Sequence, residues 1–299
     1  MSDITPRIDL AFKKIFGVEG NEDLLISLVN AVLDPKDQVT GVTLLNPYNL
    51  QSFKKDKLSV LDIKAETIDG RRINVEIQIT DVANYDKRAL YYWAKLYTEQ
   101  LQSGDGYDRL YKAIGIHILN FVSVNQSERY HNVFDIREKT DGFAYFTNLE
   151  LHTIELPKFK AGTCEELPAL VSQVKDALDM WMAFLTRHNL LNHETLPASL
   201  NNPALKKALH VLDVMNLSPE EREAYEGRLK WHLTEQDTLL KKFQDGKAEG
   251  RAEGKAEGKA EGRGERDIEI ARNMLKRQMD PNAIAEMTGL SEEVIKGLQ

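Results

Sequence analysis

Between Ile73 and Thr80 the chain alternates without a break: Ile73, Val75, Ile77 and Ile79 are apolar, while Asn74, Glu76, Gln78 and Thr80 are polar. A period of two sends the two sets to opposite faces, so this segment is a half-buried strand and not a helix. A second alternation precedes it, Leu61, Ile63 and Ala65 against Asp62, Lys64 and Glu66. Residues 67–72, with Asp69-Gly70 inside them, are the turn between the two. In such a hairpin the loop sets the register. With Asp69-Gly70 as a two-residue loop, Asp62 pairs with Ile77 and Glu76 faces away. A three-residue loop with Gly70 left-handed, or a bulge, brings Asp62 and Glu76 to one face.

Around this hairpin the chain reads as α/β. Leu10, Phe12, Ile15 and Phe16, then Leu24, Leu25, Leu28, Val29 and Val32, keep helical spacing over 6–34. Gly17 and Gly20 split that stretch into two helices, and Asp34-Pro35 ends the second. A helix is expected over 82–103, ending at Gly104, then a buried strand at 111–121 and one or two more within 143–156. On that helix, Tyr91, Tyr92, Trp93 and Tyr97 offer rings that could stack on bases, but Trp93 and Tyr97 are assigned to packing. Residues 1–160 form the first expected domain, and 165–245, helical throughout, a separate accessory domain.

Residues 246–264 hold a four-residue repeat with glycine at 246, 250, 254, 258 and 262. Each interior glycine costs a helix about 1 kcal/mol relative to alanine. The repeat is therefore either a flexible linker or a helix whose small-residue stripe packs against a second copy. In the last segment, 265–299, two short helices flank Thr288-Gly289-Leu290, with Ser291 capping the second. This helix-turn-helix-like tail places Glu292 and Glu293 where a reading helix would meet phosphates, which favours self-association or docking over DNA reading.

Composition excludes several classes. No apolar run reaches the roughly 20 residues that span a bilayer, and the first residues lack a signal-peptide core, so a cytoplasmic protein without membrane partners is expected. The single cysteine, Cys164, rules out an internal disulfide and a cysteine-rich zinc site. Seven scattered histidines include His188 and His193, five apart with no acidic or cysteine partner, and they read as satisfied surface or core groups. The net charge of −8 argues against constitutive coating of a polyanion. It does not exclude an enzyme with one basic groove, because carboxylates that bind a metal also count as negative.

The chemistry lies on the hairpin. Two carboxylates and one backbone carbonyl suffice for a magnesium ion that keeps several waters, and Asp62, Glu76 and the carbonyl of Ile77 are candidates for that set. Gln78, on the face of Glu76, is placed to orient a water or a phosphate. On spacing alone a polar strand face is a solvated face, but Asp62 interrupts the apolar approach Leu58, Val60.

The segment LSVLDIKAETIDGRRINVEIQI resembles the D…ExQ core of the Rpn family, recombination-promoting nucleases also labelled transposases, a branch of the PD-(D/E)XK nucleases. IDLAFKKIFG at 8–17, RALYYWAKLYTEQLQSGDGY at 88–107 and LELHTIELPKF at 149–159 agree with it in order, as does the glycine repeat with its TGLS tail. The resemblance implies a restriction-endonuclease-like mixed sheet flanked by helices and followed by helical segments. It also implies magnesium-dependent DNA cleavage, with Mn2+ or Ca2+ as substitute ions, linked to recombination or to defence against mobile DNA. Carried onto this chain, Asp62 and Glu76 are metal ligands, and Gln78 stands where the wider superfamily has lysine. Asp9 and Lys13 are expected near the site, and Lys13, Lys64 or Arg88 supplies the missing positive charge, with Lys64 sharing the strand face of Asp62. Partners are then DNA and a second copy in a homodimer. The rival reading is a catalytically inactive DNA-binding or regulatory module of the same fold.

Overall fold

Ile63 pairs with Val75, Lys64 with Asn74, Ala65 with Ile73 and Glu66 with Arg72 in an antiparallel hairpin of β2 (Ile63–Thr67) and β3 (Arg72–Gln78). The computed structural model describes residues 4–48 and 62–298; Leu58, Val60 and Leu61, read above as the apolar approach and strand start, lie outside that range. Thr67 N–H donates to the Arg71 carbonyl at 2.9 Å and Gly70 N–H to the Thr67 carbonyl at 2.9 Å. The loop is therefore Ile68-Asp69-Gly70, three residues, with Gly70 at φ +87. The two-residue alternative does not form.

The hairpin lies within a six-stranded mixed sheet of order β1-β2-β3-β4-β6-β5. β4 (Ala113–Leu119) runs parallel to β3 and to β6 (Leu149–Glu155), while β1 (Val42–Leu44) and β5 (His131–Phe134) add antiparallel edges. All seven residues of β4 are buried, as expected of a central parallel strand covered on both faces. β1 and β5, three and four residues long, were not anticipated from sequence.

Ile63, Ala65, Ile73, Val75, Ile77, Ile114, Ile116 and Ile118 form one face and join a single core with α1 (Asp9–Phe16) and α2 (Glu22–Val32). The opposite face carries Glu66, Asn74, Glu76 and His117 and is covered by α3 (Tyr85–Thr98), where Tyr85 and Ala89 pack on Leu119 and Phe121. α3 is shorter than the helix expected over 82–103. Trp93 stacks on Tyr97, centroids 5.4 Å apart, and donates to the Ala113 carbonyl at 2.8 Å.

The helices expected as an accessory domain share the core of the sheet. α4 (Leu167–Gln173), α5 (Ala177–Arg187) and α6 (Pro203–Asp213) bring Leu170, Trp181, Phe184 and Leu209 into it. Trp181 meets Phe16 edge-on at 5.3 Å. A break at 160–165 would expose both sides of that contact, which is the physical reason the chain divides elsewhere, into compact units Met1–His232 and Leu233–Gln299.

The glycine repeat is helical. α7 runs unbroken over Pro219–Lys276, and a Cβ at Gly246, Gly250, Gly254, Gly258 or Gly262 would meet nothing within 4 Å. Beyond it, α8 (Pro281–Thr288) and α9 (Glu292–Lys296) close on Ala271, Ile284 and Ile295. Gly289 turns the chain at φ +72, and the Ser291 hydroxyl accepts from Val294 N–H at 3.4 Å.

Candidate active site

Because Ile63 opposes Val75, the residue before it, Asp62, stands opposite Glu76. Ile63 and Ala65 point into the core, so alternation sends Asp62 and Lys64 to the face of Glu76 and Gln78. All four line one cleft of about 980 Å³, together with Asp9, Asn46, Arg72, Ile77, Arg88, Tyr92, Arg228, Trp231 and His232. The carbonyl of Gln78 accepts from Asn120 N–H on the β4 side at 3.0 Å. Carbonyls alternate along a strand, so that of Ile77 points to the β2 side, where Asp62 lies.

Asp62 is held through its backbone. Its carbonyl accepts from the Lys13 ammonium at 2.5 Å and from the Asn46 amide at 3.0 Å, and the same amide lies 3.5 Å from its carboxylate. Lys13 is fully buried and also donates to the Asn46 carbonyl at 2.6 Å. Burial pulls its pKa down to about 8, against the opposing pull of the Asp62 charge. Asn46 further accepts from Lys64 N–H at 2.7 Å, which ties this clamp to the first residues of β2.

Glu76 sits deeper. Arg88 donates to its Oε1 at 2.9 Å, and His117 Nδ1 lies 3.8 Å from its Oε2. Burial raises the Glu76 pKa, Arg88 opposes that rise, and the nearby Asp62 charge adds to it. His117 bonds Tyr85 Oη at 2.8 Å and is pushed down to about 4 by burial, then by Arg88 and His152. It is therefore a neutral imidazole and brings no charge to the pair. Two carboxylates facing each other, with one guanidinium bonded to Glu76, leave negative charge that a divalent cation would relieve. The donor set is all oxygen and suits a hard ion such as magnesium. Among the described residues no three His, Cys, Asp or Glu side chains converge on one metal position. A cation here would thus rest on Asp62, Glu76, a carbonyl and water.

The remaining expected residues divide. Gln78 lines the cleft and donates its amide to the Thr80 carbonyl at 3.2 Å. Lys64 pairs with Glu99 at 3.0 Å, and Asp9 with Arg228 of α7 at 2.7 Å, where burial raises the Asp9 pKa against the pull of Arg228. Lys13 stands behind Asp62 and does not line the cleft. Sequence reasoning missed Asn46, His117, Arg228, Trp231 and His232. A histidine in the middle of a buried strand was a usable signal for His117. Nothing local marked Arg228, 219 positions from its partner.

A model of PD-(D/E)XK nuclease family transposases matches residues 6–241, from the first helix through the cleft to the early part of α7. The chain belongs to this family. A second model, the C-terminal HTH domain of the Rpn/YhgA-like nuclease family, matches residues 265–299. No curated protein and no solved structure matches the chain at a significant level. Membership agrees with the architecture, a mixed six-stranded sheet flanked by helices in the restriction-endonuclease-like manner. It gives the chain a nuclease and DNA-binding character. Among the described residues no helix is long and apolar enough to cross a membrane.

Proposed function

We propose that this family member is a magnesium-dependent DNA endonuclease that hydrolyses phosphodiester bonds with little sequence preference, acting in recombination or in defence against mobile DNA. The observation that carries the reading is the hairpin register, which sets Asp62 opposite Glu76 in a cleft that also holds Gln78 and Arg88. Asp62, Glu76 and the Ile77 carbonyl are the proposed metal ligands, with Mn2+ or Ca2+ as substitutes. When bound, the cation supplies an activated water near neutral pH and stabilises charge on the leaving oxygen.

The protein's own groups do the rest. Lys13 and Asn46 fix the backbone of Asp62, so its carboxylate is held before substrate arrives. The Gln78 amide nitrogen is engaged by the Thr80 carbonyl, and its oxygen can accept a hydrogen bond that orients the attacking water. Trp231, 57% exposed, and Tyr92 give the cleft aromatic walls suited to a nucleobase or sugar. A cytoplasmic homodimer, with one site for each strand, is part of the same proposal.

The test is cutting of supercoiled plasmid in magnesium by wild type, Asp62→Asn and Glu76→Gln, with a chelator control. Wild-type cutting that falls at least about 10²-fold in both variants, and stops in chelator, supports the reading. Cutting that survives in both variants moves the site elsewhere. Gln78 in the place of lysine favours a second reading, a binding module that does not cut. DNA binding without nicking across divalent ions would establish it.

A further inference from the structure

Strand β3 offers the neutral Gln78 where the wider PD-(D/E)XK superfamily has a lysine, so a phosphate entering the cleft needs its positive charge from another element. We propose that Arg88 of α3 is the phosphate-binding cation of this site. The proposal rests on the nuclease reading above and adds the group that would grip the scissile phosphate.

The cations around the cleft differ in what already holds them. Lys13 is buried with its ammonium on two backbone carbonyls, those of Asn46 and Asp62. Lys64 and Lys95 both lean on Glu99, at 3.0 and 3.6 Å. Arg72 pairs with Glu66 at 2.9 Å and Arg228 with Asp9 at 2.7 Å. Among the described residues, Arg88 is the cation bonded to a carboxylate of the facing pair, through Nη2 to Glu76 Oε1 at 2.9 Å.

Its guanidinium lies over the Tyr92 ring, 5.3 Å from the centroid, and its side chain is 39% exposed. Nε is buried and has no hydrogen-bond partner. A planar fork held at one edge by a carboxylate and on one face by an aromatic ring presents its other donors in a fixed direction. That is the geometry suited to bidentate contact with a phosphate. Charge points the same way: two carboxylates, one divalent cation, one guanidinium and one phosphodiester balance to zero. Without Arg88 the set is left negative.

The test measures binding and cutting separately. Binding of a labelled DNA duplex, in chelator and across a salt series, is compared for wild type, Arg88→Ala, Arg88→Lys and the double variant Arg88→Ala/Gln78→Lys. Plasmid cutting is then measured in magnesium. The expected result for Arg88→Ala is a salt slope lower by about 1 and cutting slower by about 10²-fold. Arg88→Lys should keep the slope, and the lysine placed at 78 should restore much of both losses. A merely structural role for the Arg88–Glu76 pair predicts no such rescue.

Arg88→Gln, which keeps an amide donor for Glu76, replaces the alanine variant if that variant fails to fold. A folded Arg88→Ala or Arg88→Gln variant with the wild-type salt slope overturns the proposal, as does a double variant in which neither slope nor cutting recovers. If wild type does not cut at all, the nuclease reading fails, while the slope in chelator still decides Arg88: its loss supports the phosphate contact and its persistence overturns it.

Discussion

A fully buried lysine is costly unless its ammonium is satisfied, and Lys13 meets that demand with the carbonyls of Asn46 and Asp62. The arrangement couples α1 to the backbone of a candidate ligand, so the two should fail together. Lys13→Met keeps most of the volume but removes the donor that the Asn46 carbonyl uses. A buried acceptor left alone costs about 1–3 kcal/mol, measurable as a shift in the urea midpoint. Cutting should fall as well, because Asp62 loses one of its two backbone anchors. A variant with unchanged stability and activity would show that Lys13 is a passenger in the core.

The hairpin shows at element scale what the sequence could and could not disclose. Its strands, faces and turn glycine were legible, because a period of two with an Asp-Gly in the middle has few other readings. The register was legible only as a choice between two loops, and the structure selects the three-residue loop with Gly70 at φ +87. A Cβ at Gly70 would also approach the Tyr111 ring at 2.7 Å. Gly70→Val should therefore cost more than the roughly 1–2 kcal/mol of a left-handed side chain, with a matching drop in Tm. It should reduce cutting too, since a shifted hairpin takes Asp62 from the face of Glu76. An unchanged Tm would mean that the loop accommodates the side chain and does not set the register.

Other elements were hidden for stated reasons. β1 and β5 are too short to show a period, and His117 reaches Glu76 only because β4 lies parallel beside β3, a neighbour relation that local pattern does not encode. The glycine repeat was ambiguous because its propensity opposes a helix while its four-residue spacing permits one. In α7 it is helical.

Over the whole molecule, burial sets the response to acid. His131 and His188 are both pushed down to about 4, chiefly by desolvation, and His188 Nδ1 is buried without a partner. Both stay neutral in the fold where the unfolded chain, with ordinary values near 6.5, takes up protons. Their contribution to stability is complete above pH 6.5 and is lost as the pH falls toward 4. Urea unfolding at pH 7, 6 and 5 should show a steady loss, and His131→Gln or His188→Gln should flatten it. A wild-type protein equally stable at pH 7 and 5 would refute this.

The cleft also has an order of manufacture. Asp62 and Glu76 belong to the first third of the chain, yet Arg228, Trp231 and His232, which line the same cleft, come from α7. Thr5, Asp9 and Lys14 near the N-terminus are likewise tied to Tyr225, Arg228 and Glu221. At about 5–20 residues per second, a ribosome supplies both carboxylates several seconds before it supplies that wall. A chain cut short during translation would carry the acidic pair without the surface that completes its groove. If the cleft cuts DNA as proposed, a chain stopped before residue 219 should cut more weakly than the full one.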